Sequence, residues 1–205
     1  MNIEVKNSPK PVDYSDSMKI LEQRVEDVHM GKKKELLWIL EHNLVYTAGT
    51  SANDKDLLDK KLKVVKTNRG GRYTLHSPGQ KVVYFVLDLN KRKKDIKKLI
   101  NKIENCIIQI LSEYDVKSHA DSQNIGIWIN TEDKAEKIAA IGIKVKKWVA
   151  YHGFSLNVNN DLSLYNKIVP CGIKDKAVTS LKKIGIKKTE KIENIIVKKF
   201  LDSFL

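Results

Sequence analysis

The chain has 205 residues, 41% of them hydrophobic, enough to bury one sizeable core and too few for a second full domain, so residues 1–205 are read as a single domain. Only two cysteines occur, which excludes a disulfide framework and suits a reducing compartment. The longest uninterrupted apolar run, Val82 to Leu87, is far too short to span a membrane, and Met1 to Ser17 has no apolar stretch of the export type, so the expectation is a cytoplasmic protein that does not touch a membrane.

In chain order, Ser15 or Asp16 is read as the cap of a helix from about Met18 to Met30, with Ile20, Leu21, Val25 and Val28 at helical spacing and Gly31 ending it. Glu35 to Glu41 is an apolar run of strand length, and His42 to Asp54 reads as loop. Val64 to Lys66, Arg72 to Leu75 and Lys81 to Leu89 read as strands, punctuated by Gly70-Gly71 and Ser77-Pro78-Gly79. An amphipathic helix is expected from about Lys93 to Glu113, then strands at Ile125 to Ile129, Ile138 to Val145 and Trp148 to Asn157. Short helices are read at Asp161 to Asn166 and Val178 to Ile184, and a last amphipathic helix from Thr189 to Phe204. Strands cluster in the middle and helices flank them, which predicts an α+β fold with a mixed sheet.

The basic excess, 38 Lys+Arg against 25 Asp+Glu for a formal +13, attracts polyanions. The excess is almost all lysine, spread along the chain and without interleaved aromatics, a pattern of solvated faces and acidic protein partners more than of nucleic-acid recognition. A basic nucleic-acid-binding module is kept as the less favoured reading.

Chemistry is sought in the cysteines, histidines and glycines. Cys106 shares a helical stripe with Leu99, Ile103, Ile107 and Ile110 and reads as a small core residue. Cys171, between Pro170 and Gly172, lies in a turn that shields it little. It is a candidate nucleophile, with a half-buried turn residue as the alternative. His42, His76 and His152 fall at ends of expected strands, where side chains gather at a sheet rim, and they gain weight if they converge on Cys171. No His or Cys spacing of a metal site accompanies them. Arg69-Gly70-Gly71-Arg72 matches no nucleotide-binding motif; it reads either as a tight hairpin turn or as a backbone surface open to a thin ligand.

Five segments in order carry a family resemblance: Glu41 to Gly49, Arg69 to Gln80, Lys137-Ile138-Ala139-Ala140-Ile141-Gly142, His152 to Val158, and Pro170-Cys171-Gly172-Ile173. Together, with Cys171 34 positions beyond Lys137 as in that family, they resemble the octanoyltransferases of lipoate biosynthesis over about Glu35 to Leu181. Ser77 departs from the family's usual glycine between His and Pro.

The resemblance implies an acyltransferase that takes an octanoyl group from octanoyl-acyl carrier protein, holds it on a cysteine and passes it to a lysine ε-amine of a lipoyl domain. The acceptors it implies are the lipoyl domains of 2-oxoacid dehydrogenases and the H protein of glycine cleavage. Carried over by residue, Cys171 is the nucleophile, and Lys137 lowers the thiol pKa and serves as general acid/base. The acyl-binding segments would be Arg69, Gly70, Gly71, Arg72, Tyr73, Thr74, Leu75 and His76; Ala140, Ile141 and Gly142; and Gly153, Phe154 and Ser155. His42 and His152 would support the site. The implied fold is that of the biotin and lipoate protein ligase catalytic domain, with no cofactor and no ATP. A free thiol is mostly protonated at neutral pH, so a nearby ammonium raises its thiolate fraction, and the same lysine, once deprotonated, can take a proton from the incoming amine. Backbone N–H groups near Gly142 or Gly172 are the expected oxyanion donors, and the small residues of Ala-Ala-Ile-Gly the expected room for the acyl tail. An ATP-dependent lipoate or biotin ligase of the same fold is the alternative enzyme.

Overall fold

A computed structural model describes residues 2–132, 134–170 and 177–205. Its main sheet has the order β1-β2-β6-β10-β9-β8-β7, with β11 also on β9, and a smaller sheet has the order β4-β3-β5. The strands are β1 (Ile3–Asn7), β2 (Glu35–Leu40), β3 (Val45–Ala48), β4 (Val64–Lys66), β5 (Tyr73–His76), β6 (Gln80–Asp88), β7 (His119–Ala120), β8 (Ile127–Asn130), β9 (Ala135–Lys146), β10 (Val149–Asn157) and β11 (Ala177–Val178). The α-helices are α1 (Tyr14–His29), α2 (Ile96–Ser112) and α3 (Ile192–Phe204), and the short helix expected at Asp161 to Asn166 is a 3-10 helix, Leu162–Lys167. β1 runs parallel to β2 and β11 parallel to β9, while the central β2-β6-β10-β9-β8 pairings are antiparallel, so the sheet is mixed as expected.

The continuous apolar runs of β2 and β6 are explained by burial on both faces. Leu36, Trp38, Leu40, Val82, Tyr84 and Val86 meet Leu21, Val25 and Val28 of α1, whereas the alternate residues Leu37, Ile39, Val83, Phe85 and Leu87 meet α2 and α3. Cys106 lies in that second layer, fully buried as its stripe predicts. Buried Glu35 caps the arrangement by accepting from Arg92 and from the Asp88 N–H.

Several elements differ from the sequence reading. α1 starts four residues earlier than expected, because the Asp13 side chain, and neither Ser15 nor Asp16, accepts from the Asp16 N–H; Gly31 does come after its end, left-handed at φ 68°. The polar N-terminus hides β1, an edge strand with Ile3 buried and Val5 exposed, and the region read as loop contains β3. Residues 178–184 form no helix: Ala177–Val178 is a strand on β9, succeeded by turns. The Gly70-Gly71 stretch is no hairpin turn, since β3 lies between β4 and β5 and pairs with both. The segment between β4 and β5 is thereby released to reach the main sheet.

Candidate active site

β8 pairs with β9 only as far as Ile127 opposite Ala139, so from Ala140 onward β9 has an edge that no described strand covers. The loop freed between β4 and β5 closes on this edge, where the Gly70 N–H donates to the Ile143 carbonyl at 3.2 Å. Gly142 permits the approach: a Cβ there would stand 3.2 Å from the Gly70 oxygen and 3.3 Å from Arg69 Cδ. Between loop and edge lies a cavity of about 640 Å³, lined by Tyr14, Val82 and Tyr84 from the α1 layer and by Ile100 from α2.

Lys137 reaches this cavity through a β-bulge. Trp128 opposes Lys137 while its neighbour Ile127 opposes Ala139, so β9 spends one extra residue at Ile138. Strict alternation from Ala140 and Gly142 would send Ile138 into the cavity and Lys137 toward α2. The extra residue reverses this, leaving Ile138 in the α2 and α3 core and Lys137 on the cavity wall. Lys137 is 5% exposed; its Nζ donates to the Ile125 carbonyl at 3.0 Å and stands 4.7 Å from the centre of the Trp128 ring. Gly126, at φ 138°, leaves room for it: a Cβ there would lie 3.2 Å from the ammonium.

The same cavity gathers Arg69, Gly70, Gly71, Arg72, Tyr73, Thr74, His76, Ala140, Ile141, Gly142, His152, Gly153, Phe154 and Ser155. Arg69 spans the two sheets, donating to the Thr47 carbonyl and hydroxyl and to its neighbour Gly70. Arg72 and Tyr73 spend their polar ends on Asp56 and Asp54. Leu75 is the exception in its segment: alternation along β5 turns it into a separate core with Tyr46 and Tyr165. The small residues are only partly room for a ligand. Gly142 accommodates the Arg69–Gly70 loop, and a Cβ on Gly153 would fall 1.9 Å from the Val83 carbonyl oxygen, inside the β10-β6 ladder. Cys171 and Gly172 lie outside the described residues. The chain from Ala177 onward is anchored beside Lys137: Val178 pairs with Lys137 in register, and the Thr179 N–H donates to the Lys137 carbonyl at 2.9 Å.

The histidines converge on one another in a buried aromatic cluster. His42 does not line the cavity; its ring is 5.5 Å from that of His76, and its nitrogens meet the Val12 carbonyl and the Tyr84 hydroxyl. His152 is not at a strand end but within β10, held left-handed at φ 67°, which turns its ring onto Tyr151 and toward the Asn68 amide oxygen at 2.7 Å. Burial keeps these imidazoles neutral, lowering the His42 pKa and pushing those of His76 and His152 down to about 3, with positive charge on Arg69 adding to the effect on both. Burial likewise holds the Tyr84 phenol well above its ordinary range. Tyr14, Val82, Tyr84 and Ile100 are cavity residues that the sequence did not announce: Val82 and Tyr84 sit in an apolar strand run that reads as ordinary core, Tyr14 precedes the expected helix, and Ile100 lies beside the core stripe of its helix, not in it.

Residues 13–201 match the model of the lipoyl protein ligase A/B catalytic domain. The octanoyltransferase of Wolbachia sp. subsp. Brugia malayi is 42% identical over 199 residues, covering 96% of this chain and 97% of that one. The octanoyltransferase of Ehrlichia chaffeensis is 44% identical over 205 residues, covering 98% and 96%. The chain belongs to the octanoyltransferase family. Solved structures extend the likeness in fold alone. Lipoate-protein ligase A bound with ATP superposes on this octanoyltransferase-family chain with a TM-score of 0.78 at 14% identity, covering 99% of it and 85% of the ligase. The bipartite lipoate protein ligase of Thermoplasma acidophilum gives 0.72 at 14% identity, covering 99% and 84%. The expected lipoate ligase fold is thus the fold of this family member. No described helix is long and apolar enough to cross a membrane.

Proposed function

We propose that this chain, an acyltransferase of the octanoyltransferase family, takes an octanoyl group from the thioester of acyl carrier protein onto Cys171 and delivers it to a lysine ε-amine of a lipoyl domain, in the cytoplasm and without ATP. In the first half-reaction the Cys171 thiolate attacks the thioester carbonyl, a C–S bond forms, and the carrier's C–S bond breaks to release its thiol, which takes up a proton. In the second, a neutral amine attacks the acyl-cysteine: the C–N bond forms, the Cys171 C–S bond breaks, and the amine proton leaves for the base that restores the resting state. Lys137 is assigned both proton tasks and the electrostatic support of the thiolate. Arg69–Thr74, His76, Ala140–Gly142 and Gly153–Ser155 form the walls around the acyl chain, with His152 and, behind His76, His42 as supports.

The observation that carries this reading is the bulge that turns Lys137 out of the core and into a mainly apolar cavity together with the expected acyl-binding segments. A buried ammonium whose partner is a neutral carbonyl, and which has no ion pair among the described residues, is suited to electrostatic and proton-transfer work more than to stability. The +13 charge favours encounter with acidic carriers and lipoyl domains. The test is a transfer assay with octanoyl-acyl carrier protein and a lipoyl domain without nucleotide. Octanoylation of the acceptor, lost in Cys171→Ala, is expected. Dependence on ATP and free octanoate would instead make the chain a ligase.

A further inference from the structure

One buried chain of hydrogen bonds connects Lys137 to His76, and its ends fix the orientation of every link. The Thr179 N–H donates to the Lys137 carbonyl at 2.9 Å, and the Asn157 side chain meets the Thr179 carbonyl at 2.9 Å. A carbonyl only accepts, so the Asn157 atom facing it is the NH₂, and the Asn157 amide oxygen faces the Gln80 side chain at 2.9 Å. That oxygen in turn requires the Gln80 NH₂, which also donates to the Tyr165 hydroxyl at 3.0 Å. The Gln80 amide oxygen is then left for His76 Nδ1, 2.7 Å away. Nδ1 must carry the proton. Gln80 is fully buried, Asn157 and His76 are 5% and 7% exposed, and Gln80 faces Asn157 in the β6-β10 register, so the fold leaves little freedom to reverse a link.

We propose that Gln80 and Asn157 are positioning residues that lock His76 as its Nδ1–H tautomer, so that Nε2 offers a bare lone pair in the cavity to an N–H of the attacking lysine amine. His76 lines the cavity, and among the described residues its Nε2 makes no hydrogen bond. Neither the octanoyl tail nor a free carboxylate has a hydrogen to give such an acceptor; an amine does. The imidazole is held neutral by burial, so it accepts from the amine without stabilising the unreactive ammonium as a carboxylate at that place would. Because the same chain ends on the Lys137 main chain, acceptor and base are held in one frame.

This inference rests on the octanoyl-transfer reading, and its test separates the two. Nitrogen-15 spectra of labelled histidine, with His76 assigned by its loss in His76→Gln, report the tautomer directly and need no activity. A protonated Nδ1 and unprotonated Nε2 in the wild type, with mixed tautomers in Asn157→Leu, is the expected result; an Nε2–H tautomer in the wild type overturns the lock. Gln80→Met, which removes the acceptor facing His76 Nδ1 and is likewise expected to give mixed tautomers, covers the case in which Asn157→Leu does not fold. Single-turnover kinetics then place the effect: acylation by octanoyl-acyl carrier protein at the wild-type rate and transfer to the lipoyl domain slowed about tenfold or more. Slowing confined to acylation, or no slowing in variants whose spectra show mixed tautomers, overturns the assignment to the amine. Failure of the wild type to acylate at all would sink the transfer reading and leave the tautomer result standing.

Discussion

Gly153 and Gly142 line the same cavity, yet their backbones serve different ends, and adding one methyl group to each separates fold from function. In Gly153→Ala the new Cβ would lie 1.9 Å from the Val83 carbonyl oxygen and 3.0 Å from its carbon, main-chain atoms in the central β10-β6 pairing that no rotamer change can move. Relief requires the strands to separate, which costs at the upper end of overpacking, about 3 kcal/mol or more. For a chain of this size that corresponds to a fall in Tm of roughly 6–12 °C. In Gly142→Ala the nearest atoms are the Gly70 oxygen at 3.2 Å and Arg69 Cδ at 3.3 Å, both in a loop that can retreat by tenths of an ångström. Its stability cost is about 1 kcal/mol or less, while kcat/KM falls because the Arg69–Gly71 wall moves. Thermal unfolding followed by circular dichroism, beside turnover, measures both. A Gly153→Ala protein as stable as the wild type would refute the argument, as would a Gly142→Ala protein with lowered stability and unchanged turnover.

Replacing Lys137 with Met keeps its stem over Trp128 while removing the ammonium, so turnover is expected to fall about 100-fold or more with the unfolding midpoint nearly unchanged; comparable loss of stability would mark a structural lysine. His76 and His152 are held neutral when folded, with pKa near 3, but titrate near 6.5 when unfolded, so the unfolded state binds more protons between those values. Stability should therefore drop as pH falls from about 6.5 toward 3, at up to ~1.4 kcal/mol per pH unit for each. Urea titrations from neutral to acid pH, with a shallower slope in His152→Gln, check the sign. Burial pushes the Cys106 thiol up to about 12, so iodoacetamide at neutral pH should spare it and label Cys171, with Cys106→Ala retaining transfer; labelling of native protein at Cys106 would contradict its burial.

The sequence displays those parts of this fold that rest on local periodicity. α2 and α3 and the strands β2, β6, β9 and β10 show it, because their stripes and runs are long. It conceals elements whose reason is tertiary. β1 is polar because it lies at an edge, β3 is broken up by its flanking small residues, and the Gly70-Gly71 loop mimics a hairpin turn because nothing local reveals that β3 inserts between β4 and β5. For the site, ordered motifs locate Lys137 and the cavity walls, but the face on which Lys137 lies depends on a bulge opposite Trp128, and no periodicity within β9 predicts it. Leu75 belongs to its motif by contiguity, and strand alternation takes it away from the cavity. Gln80 and Asn157 look like ordinary strand-end polar residues until register sets them face to face.

The most direct measurement is intact-protein mass spectrometry after mixing the full chain with octanoyl-acyl carrier protein and no acceptor. The expected result is a gain of one octanoyl group, carried as a hydroxylamine-labile thioester on the peptide that contains Cys171 and discharged when a lipoyl domain is added. Undiminished octanoylation of the lipoyl domain by Cys171→Ala, with no acyl-enzyme formed at any time, would contradict it.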